Sequence, residues 1–176
     1  AFSFTVPEDS FSDLDGDALT YSASLAAGGA LPGWLSFDAV TRSFSGTPGN
    51  DDVGAIDILV TVDDGNGGVI SDSFSLTINN TNDRPEVVAP LVGQSATEDV
   101  EFSYAIPAGS FIDADGDMLT YSASLSDGTE LPDWLRFDPV TQVFNGIPGN
   151  DDVGMFDILV TADDGNVAVI SDVFSL

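Results

Sequence analysis

The sequence predicts an all-β protein built of two tandem β-sandwiches, and three observations carry that reading. Shifted by 100 residues the chain lies over itself: residues 11–76 and 111–176 align without a gap and share 46 identical residues among 66 positions. A period this long marks whole domains in tandem, since solenoid units run to roughly 20–50 residues. Short runs rich in Val, Ile, Thr, Phe and Tyr alternate with Gly, Pro, Asn and Asp, the pattern of strands separated by turns. No segment sustains a helical period over more than two turns.

In the first repeat, strands are expected at Phe2–Val6, Leu19–Ala23, Trp34–Phe37, Ile58–Val62 and Val69–Ile78. Pro7-Glu-Asp-Ser10 breaks the first of them, and Asp13-Leu-Asp-Gly-Asp17 is a loop before the second. Gly46 through Gly54 reads as a loop, because its Gly and Pro disfavour a regular ladder. Asp63-Asp-Gly-Asn-Gly-Gly68 is a hairpin turn signalled by Asp-Gly. Glu86-Val-Val-Ala-Pro-Leu-Val92 opens the second repeat as its first strand. The boundary is expected near residues 80–86, with residues 1–80 as repeat 1 and 81–176 as linker and repeat 2. Ser95–Val100 has its counterpart ahead of Ala1, and repeat 2 stops at Leu176 where repeat 1 runs on into its linker. Repeat 1 therefore lacks its first strand, repeat 2 has its last cut short, and the chain reads as a window on a longer array.

Composition narrows the function. There are 30 acidic residues against three basic ones, giving a formal charge of −27, yet 43% of residues are hydrophobic and 12 are Phe. That apolar content suffices for two cores of about 100 residues each and excludes an acidic disordered tail. Clustered carboxylates oppose compaction, and Arg42, Arg84 and Arg136 are too few to offset them. Nucleic acid and anionic membrane surfaces are not expected as partners, for the same shortage of cations. No stretch approaches the ~20 apolar residues of a membrane-spanning helix. Cys is absent, so no disulfide framework exists, as in large bacterial surface proteins.

Asp13, Asp15 and Asp17 alternate along one loop, and Asp113, Asp115 and Asp117 along its copy. Hard oxygen donors at this density suit Ca²⁺, which takes six to eight oxygens in flexible geometry, better than Mg²⁺ with its strict octahedron. With no His and no Cys, zinc and copper lack their usual ligands. An EF-hand is excluded: its sixth and twelfth positions, Gly and Glu, are Ala18 and Ser24 in one copy and Met118 and Ser124 in the other. Asp and Gly also form solvated turns without an ion, so the recurrence in both repeats is what favours calcium.

The runs Phe-x-Asp-x-Asp-Gly-Asp-x-Leu-Thr-Tyr, Leu-Pro-x-Trp-Leu-x-Phe-Asp, Phe-x-Gly-x-Pro, Asp-Val-Gly and Asp-Ile-x-Val-Thr-x-x-Asp-Gly resemble the dystroglycan-type cadherin-like domain. The resemblance spans nearly all of both repeats and implies two cadherin-like sandwiches of Ig-like, Greek-key topology. It also implies a placement for the ions at the junction between repeats. Asn80, Asn82 and Asp83 stand where a cadherin linker binds calcium. Asp113 and Asp115 match its Asp-x-Asp, Asp163 its late acidic motif, and Asp51 and Asp52 the acidic loop of the preceding domain. Asn80 and Arg84 replace an Asp and an Asn of that linker, which implies fewer than three ions at the junction. Half-sites are expected at the outer ends: Asp13, Asp15 and Asp63 at one, Glu98, Asp151 and Asp152 at the other.

The expected function is structural: a calcium-binding repeat segment of a large extracellular protein, a bacterial surface or secreted adhesin, whose neighbouring repeats Ca²⁺ locks into a rod. The alternative is a module that binds polysaccharide, or a like domain on another cell, in a calcium-dependent way. Trp34 and Trp134 could stack on sugar, but they sit in short strands flanked by Leu and Phe and are expected in the core. No catalytic role is expected, because the absence of His, Cys and Lys leaves only carboxylate pairs such as Asp63/Asp64, which a chain this acidic holds by chance.

Overall fold

A computed structural model describes residues 1–176, which divide into two compact units, Ala1–Thr81 and Asn82–Leu176. Unit 1 holds six strands, β1 (Phe2–Thr5), β2 (Thr20–Leu25), β3 (Leu35–Asp38), β4 (Ser43–Gly46), β5 (Gly54–Asp63) and β6 (Val69–Ile78). They form two antiparallel sheets of order β1-β4-β3 and β2-β5-β6. Along β5 the side chains alternate, with Ile58, Val60 and Val62 turned inward and buried. Facing them is Phe44, fully buried between Phe37 and Phe74, whose rings lie 4.6 and 5.6 Å away. Removing such a ring costs about 3–5 kcal/mol.

Unit 2 repeats this arrangement with sheets of order β8-β12-β11 and β10-β13-β14, the strands being β8 (Phe102–Ala105), β10 (Thr120–Leu125), β11 (Leu135–Asp138), β12 (Val143–Gly146), β13 (Asp157–Asp163) and β14 (Val169–Ser175). Its core centres on Phe144, Ile158 and Val160, all fully buried. A further pair, β7 (Glu86–Val87) and β9 (Phe111–Ile112), is present only here. The expected strand Glu86–Val92 is thus shorter than its sequence suggests. Pro90 has no amide to donate, and the neighbouring amides find other acceptors. Val88 and Ala89 both donate to the Ser110 carbonyl (2.9 and 3.4 Å), Leu91 to Asp172 Oδ2 (2.6 Å), and Gln94 to the Ser175 carbonyl (2.8 Å).

Two local devices recur in both units. The β3–β4 turn is held by Asp38 Oδ1, which accepts the amides of Val40 and Thr41 (2.8 and 3.0 Å), and Asp138 does the same in unit 2. Gly46 and Gly146 pass so close to Trp34 and Trp134 that a Cβ there would overlap the tryptophan carbonyl oxygen. The two tryptophans are half-buried against the edges of their cores rather than enclosed by them. No helix is long and apolar enough to cross a membrane.

Candidate metal centre

In unit 2 three segments meet at the end where β10 begins and β13 finishes, since Thr120 pairs with Asp163. They are the loop Asp113–Asp117, the β13–β14 turn from Asp163 to Ala168, and the entering residues Asn82 and Asp83. The loop is folded by its own first carboxylate: Asp113 Oδ1 accepts the amides of Asp115 (2.9 Å) and Asp117 (3.2 Å). Gly116, at φ 77°, supplies the left-handed step this curl needs. As a result Asp113, Asp115 and Asp117 each bring a carboxylate oxygen within 4.8 Å of the others.

The entering residues are bonded to these loops. The Asp83 amide donates to Asp115 Oδ2 (2.6 Å), and Asn82 Nδ2 donates to Asp164 Oδ2 (2.9 Å). Asn166 Nδ2 reaches Asp117 Oδ2 at 2.7 Å, joining the turn to the loop. Asp164 is buried, and its Oδ1 accepts the amides of Asn166 and Ala168. The Asn82 side chain, with those amides, holds its carboxyl below the ordinary carboxylate value.

Two oxygens remain without a partner. Asp113 Oδ2 and Asp115 Oδ1 are enclosed and accept no hydrogen bond. Buried anionic oxygens left unpaired are costly, the more so beside another carboxylate. The residues fit a hard divalent cation: the available donors are carboxylate oxygens, none is nitrogen or sulfur, and two are enclosed without a donor. Ca²⁺ suits such a set better than Zn²⁺ or Mg²⁺.

Unit 1 shows the same loop with a different trio. Asp13 Oδ1 accepts the amides of Asp15 (2.8 Å) and Asp17 (3.0 Å), and Asn66 Nδ2 donates to Asp17 Oδ2 (2.8 Å). The carboxylate oxygens that converge belong to Asp13, Asp17 and Asp64, while Asp15 is exposed and outside the group. Asp64 is held below the ordinary carboxylate value by the Asn66 and Gly68 amides.

Other sequence-derived residues lie apart from these clusters. Asp63 and Asp163 each turn Oδ1 onto the amide two residues on, Gly65 and Gly165, at 2.7 Å. At the opposite end of each unit, Asp51–Asp52 and Asp151–Asp152 form a short 3-10 turn before β5 and β13, with Asp52 and Asp152 accepting the Gly49 and Gly149 amides. Glu98 shares with Asp152 and Trp134 the lining of a recess of about 360 Å³. Asn80 is an exposed residue just after β6. Sequence reasoning passed over Asp64 and Asp164 as site residues. The recurring Asp-Asp-Gly-Asn was a signal for them, because the second Asp of that turn faces the loop when the first caps the glycine.

The fold and its acidic ends define a tandem Ig-like sandwich protein. A family model described as "Putative Ig domain" matches residues 1–79 and 85–176, and the chain belongs to that family. No curated protein matches the sequence. Among solved structures the chain is similar to mouse cadherin-23 EC22-24, with TM-score 0.62 and 19% identity over 95% of this chain and 55% of that one. It is also similar to Drosophila N-cadherin EC1-4, with TM-score 0.56 and 17% identity over 93% of this chain and 42% of that one. An endo-fucoidan hydrolase of glycoside hydrolase family 107 matches at TM-score 0.44 and 22% identity over 92% of this chain and 23% of its own. The chain thus spans between about a quarter and about half of these proteins. The cadherin likeness establishes the fold.

Proposed function

We propose that the two units are calcium-binding structural repeats of an extracellular protein, a bacterial surface or secreted adhesin of dystroglycan-type cadherin-like domains. The observation that carries this is the pair of enclosed, unpartnered oxygens, Asp113 Oδ2 and Asp115 Oδ1, within the Asp113–Asp115–Asp117 trio. Those three residues would hold the ion, with Asp13, Asp17 and Asp64 as the equivalent group in unit 1. Bound calcium neutralises carboxylates that otherwise repel. Because Asp83 and Asn82 are hydrogen-bonded to Asp115 and Asp164, fixing this end of unit 2 also fixes the segment by which the chain enters it. Asn80, Asp51 and Asp52 enter the proposal through the family resemblance, as ligands contributed from the preceding repeat. Stiffening the junction between successive repeats is then the purpose of the ion, and no catalysis is involved.

Extracellular calcium modules bind at about 10⁻⁴–10⁻³ M. At a hundredfold excess over such a constant, one site on the folded state adds about 2.7 kcal/mol. For a domain this size that raises the unfolding temperature by roughly 10–20 °C. Thermal melts paired with small-angle scattering, in calcium and in chelator, test the reading. A higher melting temperature with a more extended particle supports it, and no response of either kind rejects it.

A second reading is favoured by the recess in unit 2, where Trp134 stands beside Glu98 and Asp152 with its Nε1 enclosed and unpartnered. An indole N–H and two carboxylates on one wall suit a polysaccharide hydroxyl pattern, with calcium shaping the site. Quenching of Trp fluorescence by soluble glycans, abolished by Trp134→Phe, would support it, and unchanged fluorescence would reject it.

A further inference from the structure

The β5–β6 turn of unit 1 and the β13–β14 turn of unit 2 are copies, Asp63-Asp-Gly-Asn-Gly-Gly68 and Asp163-Asp-Gly-Asn-Val-Ala168, that differ at their last two residues. Each presents an exposed asparagine, Asn66 or Asn166. Its Nδ2 donates to the third aspartate of the neighbouring loop, Asp17 Oδ2 at 2.8 Å in unit 1 and Asp117 Oδ2 at 2.7 Å in unit 2. The residue that follows is left-handed in both, Gly67 at φ 105° and Val167 at φ 77°. Glycine adopts that backbone freely, whereas a β-branched residue there is an outlier under strain. Val167 is fully exposed, so no packing of its side chain offsets the strain.

This difference bears on the chemistry of the asparagine. The backbone nitrogen that follows an asparagine can attack its side-chain Cγ and close a five-membered ring, and the attacking residue's own side chain crowds that approach. Gly67 has no side chain to do so, and Val167 carries a branched one. The other Asn-Gly pair of the chain, Asn145-Gly146, lies in β12, the middle strand of its sheet, where Gly146 pairs with both Phe102 and Leu135. Ladder bonds on both sides hold that backbone extended and keep the Gly146 nitrogen from folding back onto Cγ. Asn66 is the asparagine that combines an exposed turn with an uncrowded nitrogen.

We propose that Asn66 is a site of spontaneous deamidation, a one-way change that loosens the acidic end of unit 1 and that Val167 resists in unit 2. The Gly67 nitrogen, having given its proton to hydroxide, bonds to Asn66 Cγ; the Cγ–Nδ2 bond breaks, and ammonia leaves with a proton taken from water. Water then opens the ring at either carbonyl and leaves aspartate or isoaspartate at position 66. Either product replaces the N–H donor facing Asp17 with a carboxylate. The bond between turn and loop is lost, and a further negative charge joins the group of Asp13, Asp17 and Asp64. Like charges this close oppose one another. The change needs no bound ion and so stands apart from the calcium reading.

Incubating the 176-residue protein in chelator at mildly alkaline pH, with peptide mapping by mass spectrometry over time, tests it. Asn66 should convert at least about tenfold faster than Asn145 and Asn166, a barrier difference of about 1.4 kcal/mol, and its rate should rise with hydroxide. Once converted, unit 1 should unfold about 4–8 °C lower in chelator, the worth of one hydrogen bond in a domain this size, while unit 2 is unmoved. Asn66→Asp, made directly, should reproduce that drop. Val167→Gly relieves strain and so keeps unit 2 folded, and it should bring Asn166 to the conversion rate of Asn66. Conversion at Asn66 no faster than at Asn145 or Asn166 overturns the proposal, and so does an unchanged melt of unit 1 after conversion. An Asn166 that stays as stable in Val167→Gly as before would overturn the protection assigned to Val167.

Discussion

The backbone amide of Asp83 donates to Asp115 Oδ2 at 2.6 Å, tying the residue that leads into unit 2 to the middle carboxylate of an acidic trio. With Oδ2 so engaged, the other oxygen, Oδ1, lies enclosed and unpartnered. The hydrogen bond that anchors the entering chain therefore also orients the donor a cation would need. Linker and site are one piece of structure.

Asp115→Asn separates these two roles, because its amide oxygen can still accept the Asp83 amide while the charge is gone. The calcium-induced rise in unfolding temperature of unit 2 should fall by more than half. In chelator the variant should melt at or above the temperature of the unmodified protein, since one repelling charge is removed. Differential scanning calorimetry with and without chelator checks both outcomes.

Acid should weaken unit 2 in a defined window through Asp164. Its carboxyl, held by Asn82 and by the Asn166 and Ala168 amides, titrates below the ordinary 3.8. The stability it contributes is fully present above that value and is lost as pH falls through the lower, folded-state one. Urea unfolding at pH 5 and pH 3 in chelator should show a smaller loss between the two for Asp164→Asn than for the unmodified protein.

Much of the fold was legible in the residues, and the reason lies in the alternation along β5 and β13. Ile58, Val60 and Val62, and their copies Ile158, Val160 and Ala162, are inward in the structure as period-two spacing requires. The extent of the strand at 86–92 was less legible. Pro90 and the Asp172 carboxylate redirect its amides away from a ladder, and a carboxylate 81 residues distant in sequence leaves no local signal. The tryptophans, expected in the core, are half-buried and pack against its edge. For the site, spacing within the loops located Asp113 and Asp115. Asp164 was missed because two adjacent aspartates differ only in which way the turn aims them.

Gly146→Ala should destabilise unit 2 by about 3 kcal/mol or more, because its Cβ would overlap the Trp134 carbonyl oxygen and β11 and β12 would have to part. Phe144→Ala, a cavity of known kind, should cost about 3–5 kcal/mol. Equilibrium denaturation in calcium checks both, and unit 1 should keep its own transition in each.

Monovalent salt should partly replace calcium in one respect only. Raising ionic strength from about 0.01 to 0.15 M shortens the Debye length from roughly 30 to 8 Å and screens the exposed part of a −27 charge. The melting temperature in chelator should rise, yet added calcium should still raise it further, because the enclosed Asp113 and Asp115 oxygens are screened little. A melt that salt alone brings to its calcium value would reduce the effect to general screening.

The most direct test of the central claim is an amide NMR titration of chelator-treated protein with Ca²⁺. Saturable shifts should concentrate at Asn82, Asp83, Asp113 through Asp117 and Asp164 through Ala168, with a midpoint at about 10⁻⁴–10⁻³ M. Shifts that are small, linear in calcium and spread over all surface carboxylates would contradict it, and the acidic loops would then be solvated turns.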